Sequence, residues 1–125
     1  MLTCGLLITT LAKAETVLYC QNELATGLFK EDGSWKTGNF SLARYTIKFN
    51  EDFSSIDGLI KGKGKCSAPF PNTEPDLLHC RTSYGLETFV YHKQKKRYTY
   101  FTINLAYAID GSDTSSIEAG TCKSF

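Results

Sequence analysis

Apolar and polar positions alternate along much of this chain with the period of a strand, most clearly from Arg44 to Phe49. There Tyr45, Ile47 and Phe49 fall on one side and Arg44, Thr46 and Lys48 on the other, the pattern of a half-buried strand. Similar reading predicts a first strand from Val17 to Phe29, with Gly27 as a bend or bulge, and a returning strand from Trp35 to Phe40. Asp32-Gly33 between them is a hairpin signal. Further strands are predicted at Ser55–Ile60 and Leu78–Ser83, and at Glu87–His92 and Arg97–Leu105 as a hairpin around Lys93-Gln94-Lys95-Lys96. Tyr107–Ile109 continues that run, Asp110-Gly111-Ser112-Asp113 turns, and Ser116–Lys123 closes the chain. Lys61-Gly62-Lys63-Gly64-Lys65 is too glycine-rich for a helix and too charged for a core strand. It reads as a flexible connection or as an exposed edge strand, where lysines discourage pairing. The prolines Pro69, Pro71 and Pro75 mark Cys66–Leu77 as a loop. No stretch carries a sustained 3.6-residue period with caps at both ends.

About seven to nine short strands separated by turn signals predict an all-β fold, a small antiparallel barrel or sandwich. Closure is favoured because it removes sheet edges. Composition agrees: seven Tyr, eight Phe and one Trp in 125 residues suit pleated surfaces. That length fits a single domain.

Residues 1–14, MLTCGLLITTLAKA, change the picture. An apolar run ending in Ala12-Lys13-Ala14 has the form of a signal peptide with an A-x-A-like cleavage site, although it lacks a basic start. The run is far shorter than the roughly 20 residues of a membrane span. Cleavage after Ala14 leaves a single β-rich domain, residues 15–125, with four of the five cysteines: Cys20, Cys66, Cys80 and Cys122. An even count in an exported chain implies disulfides, in three possible connectivities. We choose Cys20–Cys122, which joins the first and last strands, and Cys66–Cys80, which pins the proline loop. The chain lacks a C-x-x-C pair and has two histidines, which speaks against zinc. Without Lys13 the balance is 14 − 1 = 13 basic against 13 acidic residues. A neutral chain offers no global field for nucleic acid or membrane.

Candidate chemistry is sparse. G-x-S-x-G, H-E-x-x-H, Walker and G-x-G-x-x-G patterns are missing, so a non-enzymatic protein without cofactor or metal is expected. Lys61–Lys65 matches no phosphate-loop pattern and reads as solvated. His79 and His92 read as surface or packing residues. Glu87 and Glu118 lie on strands, where carboxylates can point into a cavity, the geometry that glycosidases use. Asp110, Ser112 and Asp113 resemble a fragment of a calcium loop, and Asn39-Phe40-Ser41 is a glycosylation sequon. The most distinctive surface candidate joins Lys93, Lys95, Lys96 and Arg97 to Tyr91, Tyr98 and Tyr100. Basic and aromatic residues together can hold an anionic glycan, an acidic protein surface or single-stranded nucleic acid. The plainer reading is a solvated hairpin tip above aromatic core residues.

Tyr19-Cys20 at the start, Glu118-Ala119-Gly120-Thr121-Cys122 at the end, Trp35, the Phe40-x4-Tyr45 spacing and the tyrosine-rich late hairpin resemble a group of small exported bacterial β-rich proteins of unknown function. A weaker likeness is to periplasmic inhibitors of C-type lysozyme, which are small antiparallel barrels with an early Tyr-x-Cys. Here Tyr19-Cys20 lacks the intervening residue, Ser83-Tyr84-Gly85 does not reproduce that family's Ser-Gly-x-x-Tyr element, and Lys93 is not followed by glycine. The resemblance therefore implies the architecture and not the inhibitory residues. The resulting expectation is a periplasmic or secreted, monomeric binding module for a protein, a glycan or a small anionic ligand, without a sequence-specific nucleic acid partner. The alternative is an inhibitor of a secreted hydrolase.

Overall fold

A computed structural model describes Gly5 and residues 14–82, 85–103 and 115–124. The expected signal segment falls almost wholly outside these residues, as do the Tyr107–Ile109 run and the Asp110–Asp113 turn. Among the described residues the chain forms strands β1 (Thr16–Glu31), β2 (Ser34–Asn39), β3 (Arg44–Phe49), β4 (Ser55–Leu59), β5 (Gly62–Ser67), β6 (Leu77–Thr82), β7 (Glu87–His92), β8 (Arg97–Thr102) and β9 (Ser115–Ser124). Each strand pairs antiparallel with its neighbour in the order β2-β1-β3-β4-β5-β6-β7-β8-β9, and β9 returns to β1. Eight strands thus close into an up-and-down barrel, with β2 as one extra strand outside the ring.

The first 34 residues of β structure behave as one long hairpin. Glu31 faces Ser34, Thr26 faces Asn39, and Thr16 faces Phe49, so one register runs from the turn to the end of β3. At the turn Asp32 and Gly33 take φ of 50° and 77°, the positive pair that a two-residue I′ turn requires. Asn22 N–H to Ala43 O at 3.0 Å and Phe40 N–H to Ala25 O at 2.9 Å carry the hairpin across the short break between β2 and β3. On its other side β1 pairs with β9, and the register slips between Asn22 and Leu24. The irregularity in β1 is therefore a bulge at Glu23 and not at Gly27, which keeps regular register with both β2 and β9. Position 27 is glycine because a Cβ there would lie 2.1 Å from the Ser115 carbonyl oxygen. Beyond the bulge β1 stays paired with β9 as far as Leu28, and among the described residues only the hairpin end, Phe29–Glu31 with the facing Ser34–Lys36, overhangs β9. At its base Phe29 and Phe40 meet edge to face at 6.1 Å.

Both disulfides form as expected, Cys20–Cys122 and Cys66–Cys80, each between residues directly opposite in the sheet. Such cross-links fit an oxidising, extracytoplasmic setting. Inside the barrel, Leu18, Ile47, Phe49, Ile56, Leu78, Phe89, Tyr91, Tyr98 and Tyr100 form the core. Phe49 stacks on Tyr91 at 5.6 Å and Phe89 on Tyr98 at 5.1 Å, while Phe89 and Tyr45 both approach Tyr100 edge-on. An eight-stranded barrel is just wide enough for side chains to fill, and here aromatic rings fill it.

Lys61–Lys65 departs from its expected form. Gly62–Ser67 is β5, paired with β4 on one side and β6 on the other, so it is neither a flexible connection nor an edge. The charge that spoke against a core strand sits only on alternate residues. Its lysines face out while glycine faces in, and a closed barrel solvates one face of every strand.

Candidate functional site: a basic groove on the barrel wall

Period-2 alternation assigns the two faces of β5. Gly62, Gly64 and Cys66 are partly buried, and Lys63, Lys65 and Ser67 are exposed. In β6, Leu78, Cys80 and Thr82 are buried, so Leu77, His79 and Arg81 face outward. Gly64 is required where the two strands approach. A Cβ there would lie 2.6 Å from the Arg81 carbonyl oxygen and 3.2 Å from Ile56 Cγ2, closer than a side chain tolerates.

The disulfide then fixes which outward residues meet. Cys66 faces Cys80, so Lys65 faces Arg81 and Ser67 faces His79, while Ser55 of β4 faces Lys65 from the other side. Two cations stand directly opposite each other on adjacent strands. Such like-charge pairs destabilise a sheet by a few tenths to about 1 kcal/mol. No carboxylate relieves this one: the ion pairs among the described residues are Lys36–Glu31 and His92–Glu74. Asp57 of β4 faces Lys48 in register, and its carboxylate accepts the Gly58 N–H at 2.8 Å.

Lys63, Lys65, Arg81, His79, Ser55 and Ser67 line a groove of about 700 Å³, within the size range of small-ligand sites. Burial in the groove, and then the neighbouring Arg81 charge, hold the His79 imidazole below the usual histidine range. At neutral pH it is therefore an uncharged donor and acceptor. Three cations, an imidazole and two hydroxyls thus line one groove. Among those cations Asp57 approaches only Lys63, with which it lines a neighbouring pocket, and Lys65 and Arg81 are in no ion pair among the described residues.

A second polar set lies inside the barrel, toward the end from which the overhang leaves. Glu87, fully buried, accepts the Lys61 N–H on both oxygens at 3.0 Å and the Tyr100 hydroxyl on Oε1. The Ile60 N–H in turn donates to the Tyr100 oxygen at 3.0 Å. Tyr45 donates to Glu118 Oε2 at 2.7 Å, and Tyr98 donates to Asn22. Burial is the first cause that pushes the Tyr45, Tyr98 and Tyr100 phenols far above their ordinary range. The hydrogen-bonded carboxylate adds to it for Tyr45 and Tyr100. These phenols are permanent donors, and the two carboxylates serve as internal clamps. Glu87 and Glu118 do turn inward, but each is already engaged by a tyrosine, and Glu87 ties the β4–β5 turn to β7.

The structure divides the residues singled out in the sequence. Tyr91, Tyr98 and Tyr100 are 2%, 3% and 0% exposed, so they pack the core and offer no ring to a ligand. Lys93 lies over the Phe53 ring at 4.8 Å, the Lys95 N–H donates to His92 Nδ1, and Lys96 Nζ donates to Ser124 Oγ at 2.8 Å. Arg97 lines a different groove in company with Glu23 and His92, where the charge is mixed. The three rings therefore lie in the core, apart from the charged groups of the hairpin tip. Of the groove residues, Lys63, Lys65 and His79 read from sequence as solvated or packing residues, and Arg81 is not singled out there. The signal for the two lysines is present as Gly-Lys-Gly-Lys before a cysteine, a strand pattern with glycine in place of the apolar residue, whereas Arg81 joins them only through the β5–β6 register.

Fold and groove together define a small disulfide-braced β-barrel whose β5–β6 wall carries Lys63, Lys65 and Arg81 around one groove. No protein-family model, curated protein or solved structure matches the chain. Among the described residues no three metal-ligating side chains cluster, and no helix is long and apolar enough to cross a membrane.

Proposed function

We propose that this protein is a non-enzymatic binding module of the periplasm or extracellular space, whose β5–β6 groove takes a small phosphate- or sulfate-bearing ligand such as an anionic sugar. The observation that carries this reading is the Lys65–Arg81 pair, clamped side by side by Cys66–Cys80 without a carboxylate. A barrel gains nothing in stability from that arrangement, whereas a bound oxyanion converts the repulsion into shared attraction. The groove contains no activated nucleophile or paired acid and base, which favours binding over turnover.

Titration calorimetry with glucose 6-phosphate, and with glucose as control, tests the reading. Binding of the phosphate ester alone, weakened at least tenfold in Lys65→Ala and Arg81→Ala, is the expected result. Equal response to both sugars, or equal affinity in the variants, would refute it. A second reading is favoured by the filled interior and the β1–β2 overhang, which suit an inhibitor that inserts a hairpin into a secreted hydrolase. Dose-dependent inhibition within a panel of such hydrolases, lost when residues 30–35 are replaced by a short glycine turn, is its signature.

A further inference from the structure

Closing a barrel leaves no edge in the ring, yet this sheet keeps one. Among the described residues strand β2 pairs with β1 alone and forms the open end of the strand order. Register shows which of its backbone groups are unused. Glu31 and Ser34 flank the two-residue turn, so they exchange hydrogen bonds, and the pattern repeats at every second residue. The Phe40 N–H bond to Ala25 O keeps that phase. Residues 34, 36, 38 and 40 therefore turn their backbone groups toward β1, while Thr37 and Asn39 direct theirs to the open side. The usual defences of an edge are weak here. β2 has no proline, and its single lysine, Lys36, is held by Glu31 at 3.5 Å.

We infer that the β2 edge is the interface of a weak two-fold dimer, in which two copies of this chain join antiparallel about Thr37. The pairing that the exposed groups permit sets Thr37 against Thr37, a favourable cross-strand match. It also sets Lys36 against Gly38 of the second copy, so the two lysines avoid each other. Leu28, which faces Thr37 in β1 and is 41% exposed, comes to flank the threonine pair on each side. A self-complementary patch of this kind is what two-fold closure demands. One six-residue edge buries less than the roughly 1,200 Å² of a stable interface, so the dimer forms only at high concentration. This differs from the monomer expected from sequence, and it stands apart from the basic groove on the opposite part of the ring.

Sedimentation equilibrium and cysteine cross-linking test it together. Thr37 lies on the two-fold axis, so Thr37→Cys forms a covalent dimer on mild oxidation, with Cys20–Cys122 and Cys66–Cys80 intact by non-reducing peptide mapping. Lys36→Cys, opposite a glycine, cross-links at least tenfold more slowly. Thr37→Pro removes an N–H that the barrel does not use. It is expected to keep the native circular dichroism while weakening self-association at least tenfold. Monomer at every concentration, equal cross-linking at positions 36 and 37, or undiminished association of Thr37→Pro would overturn the inference. So would capture of β2 by another protein's strand without self-association.

Discussion

Lys65→Glu should make this protein more stable and less able to bind. Lys65 faces Arg81 directly, and neither side chain is paired with a carboxylate among the described residues. Cross-strand charge pairs contribute roughly 0.2–1 kcal/mol, favourable for opposite signs and unfavourable for like signs. The reversal removes a penalty and adds a gain, so about 1 kcal/mol is expected. For a chain of this length that raises Tm by roughly 3–5 °C. Because both side chains are exposed, the effect must fade with salt as the screening length drops to about 3 Å at 1 M. Thermal melts followed by circular dichroism at low and high salt measure this. Titration with glucose 6-phosphate measures the expected loss of at least tenfold in affinity, about 1.4 kcal/mol. If Lys65→Glu melts lower than wild type at low salt, or binds the phosphate ester undiminished, the reasoning about the groove fails.

Removing each disulfide should cost according to the loop it closes. The Cys20–Cys122 bridge spans 102 residues and Cys66–Cys80 spans 14. Chain entropy then assigns about 4.7 and about 3 kcal/mol, a difference that urea denaturation of the paired alanine variants resolves, and equal losses would refute it. The Cys66→Ala/Cys80→Ala variant should also lose ligand affinity while still folded, because the Lys65–Arg81 register loosens. His79 is held below its ordinary value by burial and then Arg81. The unfolded chain therefore takes up protons first as pH falls through about 6.5, and stability declines across that window. A bound sulfate ester should reverse the sign at this residue, raising the His79 titration seen by NMR and tightening binding at lower pH. No movement of the imidazole titration would place the ligand elsewhere. Burial raises the phenols of Tyr45, Tyr91, Tyr98 and Tyr100, whereas unfolded tyrosine ionises near about pH 10. Stability that is present below that pH should be lost as pH rises through it, and ultraviolet titration should show these rings ionising only as the barrel opens.

Local pattern carried the strands because alternation is a local property. Tyr45, Ile47 and Phe49 announce their inward face within six residues, and Asp32-Gly33 announces a turn that needs two positive φ angles. The cysteines revealed the closure, since a bridge from the first strand to the last is costly in any open sheet. The same local reasoning failed at Gly62–Ser67. Glycine at the inward positions removed the apolar half of the alternation, and only the close approach of β6 explains why glycine stands there. It failed again for Tyr91, Tyr98 and Tyr100. Proximity in sequence to Lys93–Arg97 pointed to a shared surface, but successive strand residues face opposite ways.

The amino-acid order alone thus determined the class of fold and the inward face of Tyr45, Ile47 and Phe49, because both follow from periodicity. It narrowed four cysteines to three possible pairings, of which the structure holds the one that joins the first strand to the last. Only the tertiary structure decided that Lys65 would stand against Arg81, that Glu87 would be clamped by Tyr100 and the Lys61 amide, and that β2 would keep the open edge. Those are matters of register between distant segments. A shift of one residue in pairing would turn every side chain to the opposite face, and nothing within a single strand records which partner it will meet.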